Sequence, residues 1–448
     1  MQKVITFLII LAASAVSCHI AFINGYPLVY PDTGEYLNSG FESTPPYDRT
    51  IFYGLFARHI SLFYSLWIVV FAQAILVCSL IFTVVGIFFT GKIKYVTFLA
   101  LTLALNMFTG FSYQVSIIMP DVFTAAVLLC FIIILFHNNL NRIQSFLIYF
   151  IFVFSIATQV SNFFVVFSVL LLLFLLLFIR RKRVITLINF KKLLLSFYLF
   201  CFTLILVPSV HFMLGGKFSI SNGSHVFIMN HFLETGILKK YLDENCSNKN
   251  YKICAYKDSL GNNLMWEING PLYKTGGWEA NKEEYSTIIC DIVSSPVLLK
   301  ELCTAGIKGS MKQFFTYKVS IAPPQLENTA PYEQVIWRFE KESISYFSSR
   351  QNKNGINTDV ANGMQSFFIP VCMWTSLLVL LIYRKYALGW AAGILFIYSI
   401  CNAVICANFS TIDDRYQGRL IWMFMLVTVI AIVKWRTESF PRITKSFL

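Results

Sequence analysis

Two carboxylates near the start of the chain have the residue type and spacing for acid–base chemistry. Asp32 and Glu35 lie in the string Tyr-Pro-Asp-Thr-Gly-Glu-Tyr at positions 30–36, so both would lie on one face of a helical turn. A carboxylate that faces a polar cavity can act as a general base. The same spacing fits a capping box, with Asp32 as the N-cap and Glu35 at the third helical position. Both interpretations stay open on spacing alone.

A further acid, Asp121, follows Met-Pro at the point where an apolar segment begins. Proline in a first helical turn, followed by an acid near the positive end of the helix dipole, is typical of a plain helix start. Acids at membrane depth are also commonly functional or paired. We therefore expect Asp121 to begin a helix, to face a polar cavity shared with Asp32, or to do both.

The string Asp-Asp-Arg-Tyr-Gln-Gly-Arg at positions 413–419 lies between two apolar segments. Its arginines, Arg415 and Arg419, are four residues apart and would face the same side of a helix. Guanidinium groups bind phosphate through planar, permanently charged donors, so the string predicts anion binding. The alternative is a local salt-bridge cluster in which the neighbouring aspartates pair with these arginines and stabilise the turn.

Other polar residues outside the apolar segments are weaker candidates for the same site. They are Tyr36, Tyr47, Asp48, Arg49, Arg58, His59, Gln159, Ser161, Asn162, His211, His225, His231, Asp414 and Tyr416. The sequence contains no P-loop, dinucleotide fingerprint, zinc-protease motif or nucleophile elbow. It also lacks a clear metal-ligand spacing, so no metal is predicted as a requirement, and a divalent cation is left open.

The elements that must position these residues are membrane helices. Of 448 residues, 56% are hydrophobic and only 13% are charged, whereas a soluble domain carries about a quarter charged residues. Apolar stretches long enough to cross a bilayer recur along the chain. They predict an all-α polytopic membrane protein with about ten transmembrane helices, near 4–22, 62–89, 95–111, 120–136, 144–158, 163–179, 193–214, 366–383, 387–407 and 420–434. We expect the first to be a retained anchor, with a cleaved signal peptide as the alternative.

The net charge of +13 comes from basic residues that are distributed as in a membrane protein with one fixed orientation. Lysines and arginines cluster in alternate turns, above all in the run at 180–183, whereas the short turns on the other side carry Arg49, Arg58, Arg415 and Arg419. The positive-inside rule then predicts cytoplasmic N- and C-termini and puts the polar motifs on the outer face. Membrane lipids are the expected partners of the basic turns, and nucleic acid is not.

This topology divides the chain into three parts. An N-terminal transmembrane module of about seven helices, 1–214, contains a first outer loop at 23–61. An outer domain of α or α+β structure occupies 215–364, and a C-terminal module of about three helices occupies 365–448.

Four cysteines of the outer domain, Cys246, Cys254, Cys290 and Cys303, would lie in an oxidising compartment that allows disulfides. We predict the pair Cys246–Cys254, which closes a short polar loop. Free thiols are the alternative.

The layout resembles the GT-C superfamily of membrane glycosyltransferases. Its members have many spans, an acidic residue early in the first outer loop and a further acid on a later outer loop. The matching positions are Asp32, with Glu35 close by, and Asp121, so the resemblance covers chiefly the N-terminal third. Many members place their large soluble domain at the C-terminus, whereas here it is inserted before the last three spans. The two polar strings also look like those of uncharacterised bacterial polytopic membrane proteins.

The resemblance implies a transferase of the bacterial inner membrane. It would move a hexosyl or pentosyl group from a polyprenyl-phosphate donor to an envelope glycan, lipid or protein on the periplasmic face. Asp32 would be the general base, and Asp121 would position the acceptor or hold a divalent ion. Arg415 and Arg419 would bind the lipid phosphate, and Arg49 and Arg58 are the second choices for that role.

Three other function classes remain. An O-antigen polymerase or ligase would also combine about ten spans, a large periplasmic loop and outer arginines, but it would not need Asp32. A flippase or transporter would need ionisable residues at mid-membrane, of which the predicted spans contain almost none. A structural envelope protein would use the outer domain to recruit partners.

Overall fold

The computed structural model describes residues 2–179, 188–261, 263–267 and 269–444, with side chains as far as residue 437. The predicted basic run at 180–183 lies outside the described residues. Within the described ranges the chain is helical, and its β-type pairing is one isolated parallel bridge between Leu28 and Ile117.

The described residues of the N-terminal half form eleven α-helices. They are α1 (Gln2–Ser17), α2 (His19–Asn24), α3 (Pro31–Glu42), α4 (Phe52–Ile60), α5 (Leu66–Phe88), α6 (Gly91–Phe108), α7 (Phe111–Ser116), α8 (Asp121–Phe136), α9 (Arg142–Ala157), α10 (Val160–Ile179) and α11 (Phe190–Met213).

The region between the two membrane modules contains shorter helices. They are α12 (Ser224–Glu234), α13 (Ile237–Asn245), a 3-10 helix (Lys252–Ser259), α14 (Pro271–Lys274), α15 (Gly277–Ala280), α16 (Lys282–Ser294), α17 (Pro296–Phe314), α18 (Ala330–Arg338), a second 3-10 helix (Glu340–Glu342), α19 (Ser343–Ser348) and α20 (Arg350–Lys353). The chain ends with α21 (Asp359–Ile382), α22 (Ala387–Phe409), α23 (Asp414–Ile421) and α24 (Met423–Thr444).

Six helices of the described chain are long and apolar enough to cross a membrane. They are α5, α10, α11, α21, α22 and the stretch Asp414–Thr437, which contains α23 and the larger part of α24. The other four predicted spans coincide with α1, α6, α8 and α9. Of these, α1, α8 and α9 are apolar but have 16 residues each, or about 24 Å of helix. The total of ten crossings therefore stays a prediction.

Helix α3 is clamped between two neighbours that approach its backbone closely. Gly40 lies against the backbone of Gly54 in α4, and Gly34 lies against Ala330 at the start of α18. A Cβ atom added at Gly34 or Gly40 would overlap the facing backbone. Because close-packed interiors have no room for such an atom, α3 keeps one position relative to α4 and α18.

The hydrophobic residues form two cores. The larger core contains the long apolar helices and also buried residues at and after the end of α18, such as Val335, Phe339 and Tyr346. The smaller core lies within residues 226–298. Next to it, Cys246 and Cys254 form a disulfide, which confirms the predicted pair. Cys290 and Cys303 are free and exposed.

Helix α17 contacts the end of α22 and the start of α23. Gly306 lies against Asn408. The amide of Gln313 donates to the carbonyl of Asp413 at 2.8 Å and accepts from its N–H at 2.8 Å. Just beyond α17, the N–H of Lys318 donates to the carboxylate of Asp414 at 2.7 Å. These bonds fix the beginning of the polar helix α23 against α17 and the residues that follow it.

Candidate functional site

The polar strings that the sequence separates by hundreds of residues meet at one place. The carboxylate of Asp32 lies between two guanidinium groups. Arg49 Nη1 is 3.0 Å from its Oδ1 and Arg415 Nη1 is 3.1 Å from its Oδ2. Residues from near position 30, from position 49 and from position 415 are therefore in direct contact, a pairing that the sequence analysis does not predict.

Asp32 is held by the way α3 begins. The N-cap is Tyr30, Pro31 occupies the first helical position, and the hydroxyl of Thr33 accepts the N–H of Tyr30 at 2.9 Å. That hydroxyl also donates to the carbonyl of Ile118 at 2.9 Å, just ahead of Asp121. The capping box with Asp32 as N-cap and Glu35 as its partner is therefore wrong. The helix starts two residues earlier than that capping box would place it, which frees Asp32 for long-range pairing.

The strand-like segment before α3 is fixed from both sides. Leu28 exchanges backbone hydrogen bonds of 2.9 Å with Ser116 and Ile118. Its neighbour Val29 donates to the amide oxygen of Gln351 at 3.2 Å and accepts from the amide nitrogen at 2.8 Å. A buried backbone that has all its partners has little freedom, so Asp32 enters the site with a defined direction.

Arg49 connects the site to the segment between α3 and α4. Its guanidinium makes a paired contact with Asp48, at 3.0 Å from Nε and 2.7 Å from Nη2, and its Cζ lies 4.9 Å from the ring centre of Tyr36. Two carboxylates and an aromatic face thus surround one guanidinium, which is the environment that arginine fits best.

Arg415 contributes the second guanidinium from the first turn of α23. The N-cap of this helix is Asp413, whose side chain accepts the N–H of Arg415 at 2.8 Å. The Arg415 Cζ lies 5.2 Å from the ring centre of Tyr30 and 5.3 Å from that of Tyr416. The arginines of this string pair with acids from distant segments, so the alternative of a local Asp–Arg cluster is wrong.

Arg419 lies one turn further along α23, and its side chain is 0% exposed. Its Nη1 is 3.3 Å from Asp121 Oδ1 and donates to Gln159 at 2.8 Å, and its Nη2 donates to Asn402 at 2.7 Å. Ser161 and Cys406 complete the shell at 3.3 and 3.4 Å. A buried charge is tolerated only when it is paired and hydrogen-bonded in this way.

Asp121 begins α8, as the Met-Pro-Asp string predicts, and it also lies between the two arginines of α23. Its Oδ1 contacts Arg419, and its Oδ2 lies 3.9 Å from Arg415 Nε. Asp121 Oδ2, Arg415 Nε and Arg419 Nε are buried without a hydrogen-bond partner. The helix-start interpretation of Asp121 is therefore confirmed, and Asp121 shares Arg415 with Asp32. The polar cavity that the two acids would line stays a prediction.

The guanidinium groups determine the protonation of Asp32. Burial alone would raise the pKa of this carboxyl, but Arg49 and Arg415 outweigh burial and lower the pKa from 3.8 to about 2. Glu35 differs, because burial raises its pKa and the neighbouring Asp48 and Asp32 add to that effect against Arg49. Asp32 is therefore ionised at neutral pH and is held as a partner of arginine.

Several candidates from the sequence lie apart from this cluster. Arg58 bonds to the Gly40 carbonyl and the Ser43 hydroxyl. The exposed His59 bonds to the carbonyl of Leu55 at 2.7 Å. Asp414 accepts a backbone N–H of Lys318 and has no contact with the arginines among the described bonds.

Other predicted candidates do join the cluster. Gln159 and Ser161, named from sequence as weaker candidates, bind Arg419 directly. Asn402 and Cys406 were missed because they lie in the apolar helix α22. A lone asparagine in a membrane helix was the available signal, since such a group needs a polar partner.

Among the described residues, no group of three or more His, Cys, Asp or Glu side chains could hold a metal ion. The six long apolar helices and this cluster define the class, which is a helical, membrane-embedded protein with a buried charge network where α3, α8 and α23 begin. The chain matches no known protein-family model, no curated protein and no solved structure.

Proposed function

We propose that the chain is a GT-C-type membrane glycosyltransferase. It would transfer a sugar from a polyprenyl-phosphate donor to an envelope glycan, lipid or protein on the periplasmic face of a bacterial inner membrane. The observation that supports this best is the contact of Asp32 with Arg49 and Arg415. A carboxylate and two fixed cations at one point are the groups that attack on a phosphate-linked sugar requires.

In the proposed reaction, Asp32 takes the proton from an acceptor hydroxyl as its oxygen attacks the anomeric carbon. The bond from that carbon to the phosphate oxygen breaks, and the lipid phosphate leaves with the electron pair. Arg49 and Arg415 stabilise the charge that develops on the leaving group. A single displacement of this kind inverts the anomeric centre.

The resting arrangement requires one change before Asp32 can act. A carboxyl with a pKa of about 2 is a poor base near neutral pH. Both of its arginines would turn to the donor phosphate, since guanidinium binds phosphate as readily as carboxylate. Loss of these two contacts raises the pKa of Asp32 and makes it basic at the moment when the donor is in place.

Arg419 and Asp121 have a supporting role in this proposal. Arg419 is enclosed by Asp121, Gln159 and Asn402, so no face of its guanidinium is left for a ligand. The pair instead fixes α23 against α8 and keeps Arg415 at the right distance from Asp32. Asp121 Oδ2 is buried and has no hydrogen-bond partner, so an acceptor hydroxyl would reach it only once Arg415 has turned to the donor phosphate.

The proposal includes a topology of ten spans with both termini in the cytoplasm and the region 215–364 in the periplasm. The charge bias of the turns supports this orientation. In it, α3, α8 and α23 all begin on the outer side. A polyprenyl chain would then stay in the bilayer while its phosphate reaches the arginines.

A polymerase or ligase of O-antigen type is the second candidate, because three arginines line the cluster and such enzymes rely on outer arginines. The two candidates differ at Asp32. The transferase needs its carboxylate, whereas the polymerase or ligase retains activity in Asp32→Ala.

The test uses the full-length protein in its membrane with the variants Asp32→Asn and Arg415→Ala. Loss of a general base costs about 10²- to 10⁴-fold in rate, and loss of a charge-stabilising donor costs about 10²- to 10³-fold. Each variant should therefore stop transfer at normal expression and leave lipid-linked sugar to accumulate. Arg58→Ala is the matched control, because it removes an outer arginine away from the cluster. Normal envelope glycosylation in both test variants would refute the proposal.

A further inference from the structure

Exposed apolar side chains gather beside the outer end of α5. Leu62, Phe63, Tyr64, Trp337 and Ile344 form a surface, the outer rim, and are exposed by 69%, 57%, 66%, 68% and 80%. Single exposed apolar residues are common on proteins, but a group of five on adjoining segments indicates a surface that something covers.

The two segments of the outer rim are joined through Phe41. Phe41 of α3 has ring contacts with Phe63 at 5.4 Å and with Phe339 at 5.6 Å. The ammonium of Lys341 lies 5.8 Å from the ring centre of Tyr64. Residues 62–64 and 337–344 therefore form one continuous patch.

The loop of the outer rim is held in an unfavourable backbone conformation. Leu62 and Phe63 have φ angles of 54° and 56°, a left-handed region that residues with a Cβ atom avoid. The N–H of Tyr64 donates to the Ser61 carbonyl at 2.9 Å, and the N–H of Phe63 donates to the Ser61 hydroxyl at 3.3 Å. Such strain persists only where the surroundings impose it. The surroundings here keep the apolar side chains pointing outward.

Glu342 fixes the level of the outer rim relative to the membrane. Its carboxylate accepts the N–H of Leu66, the first residue of α5, at 3.3 Å and also binds the hydroxyl of Ser65. The hydroxyl of Tyr26 donates to the same carboxylate at 2.7 Å. Since α5 is long and apolar enough to cross a membrane, both segments of the outer rim lie where this helix begins.

We infer that the outer rim inserts into the outer leaflet of the bilayer, at the boundary between headgroups and acyl chains. Aromatic rings and a flanking lysine are the residues that favour this boundary. The rim continues a surface that faces lipid, because the exposed Phe22 stacks on Trp67 of α5 at 5.5 Å. Lys341 supplies the positive charge that lipid phosphate groups attract. This inference takes the side of the membrane from the proposed orientation and is independent of the proposed transferase activity.

The experiment uses the full-length protein with 5-fluorotryptophan at its eight tryptophans, in nanodiscs of phosphatidylethanolamine and phosphatidylglycerol. Trp337→Phe assigns the rim resonance, and Trp266→Phe assigns a matched control, since Trp266 is also exposed, by 57%, in the outer region. Fluorine spectra are recorded with a lipid that carries a nitroxide near the headgroup, and separately with a soluble gadolinium chelate. Tyr64→Trp adds a second rim resonance that does not depend on Trp337.

Both rim resonances should broaden with the nitroxide lipid and stay sharp with the chelate, whereas that of Trp266 should broaden with the chelate. Rim resonances that broaden with the chelate alone would show that the rim faces water and would overturn the inference. Rim resonances that neither agent broadens would also overturn it, because the rim would then be covered by protein.

Discussion

The buried pair of Arg419 and Asp121 gives the sharpest test of how the structure is held together. We predict that Arg419→Met destabilises the protein far more than the loss of a surface charge would. Methionine replaces the aliphatic part of the side chain, so the substitution removes mainly the guanidinium. It leaves Asp121 and Asn402 in the interior without their donor.

The magnitude follows from burial. The side chains of Arg419 and Asp121 are 0% and 3% exposed, so water cannot replace the lost contacts. Removal of one partner of a buried pair costs about 3–5 kcal/mol, which corresponds to a fall in the folding equilibrium constant of about 100-fold to several thousand-fold. The double variant Arg419→Met/Asp121→Leu should lose much less than the sum of the single losses, because it leaves no unpaired charge.

Free energies of unfolding would be measured by steric trapping in bicelles for both single variants and the double variant. Lys240→Met is the control, because it breaks the exposed pair with Glu301 and should change the free energy by less than about 1 kcal/mol. The reasoning fails if Arg419→Met costs no more than Lys240→Met, or if the losses of the two single variants simply add.

Three further predictions concern the same fold. The Asp32 pKa of about 2, against an ordinary 3.8, means that its ion pairs stabilise the protein fully above about pH 4. About 2 kcal/mol is lost as the pH falls towards 2, and Asp32→Asn should remove this part of the measured pH dependence. Gly34→Ala should cost about 1–3 kcal/mol, since its Cβ meets Ala330. Gly363→Ala, which meets open space, should be neutral or stabilising in the same unfolding assay. Cys246→Ser should lower the free energy of unfolding by about 2–3 kcal/mol, because it opens a short disulfide loop, and a reducing agent should abolish the difference.

The sequence predicts much of the membrane part because hydropathy is a local property. All ten predicted spans coincide with helices, of which six are long and apolar enough to cross a membrane. Asp32, Asp121 and Arg415 stand out for a similar reason, since a charge next to an apolar segment is visible without a structure.

The partners of these residues depend on tertiary structure, so they could not be predicted from the sequence in the same way. Asp32 looked like a helix cap because its spacing to Glu35 fits one, and the closer cap at Tyr30 was not recognised. Arg58 looked equivalent to Arg49, but only Arg49 reaches the cluster. Asn402 lies within a long apolar helix, so no neighbouring charge marks it in the sequence.

The bonds of Gln313 to Asp413 and of Lys318 to Asp414 bear on the modularity of the chain. The region 215–364 resembles an insertion that could be removed, yet α17 and the residues just after it hold the start of α23 and so the position of Arg415. A chain that lacks this region would lose the geometry of the charge cluster together with any recruiting surface. Deletion cannot separate these two roles, so the region must be divided by point substitutions. For the same reason, a grafted outer region from another protein would have to bring its own equivalent of Gln313.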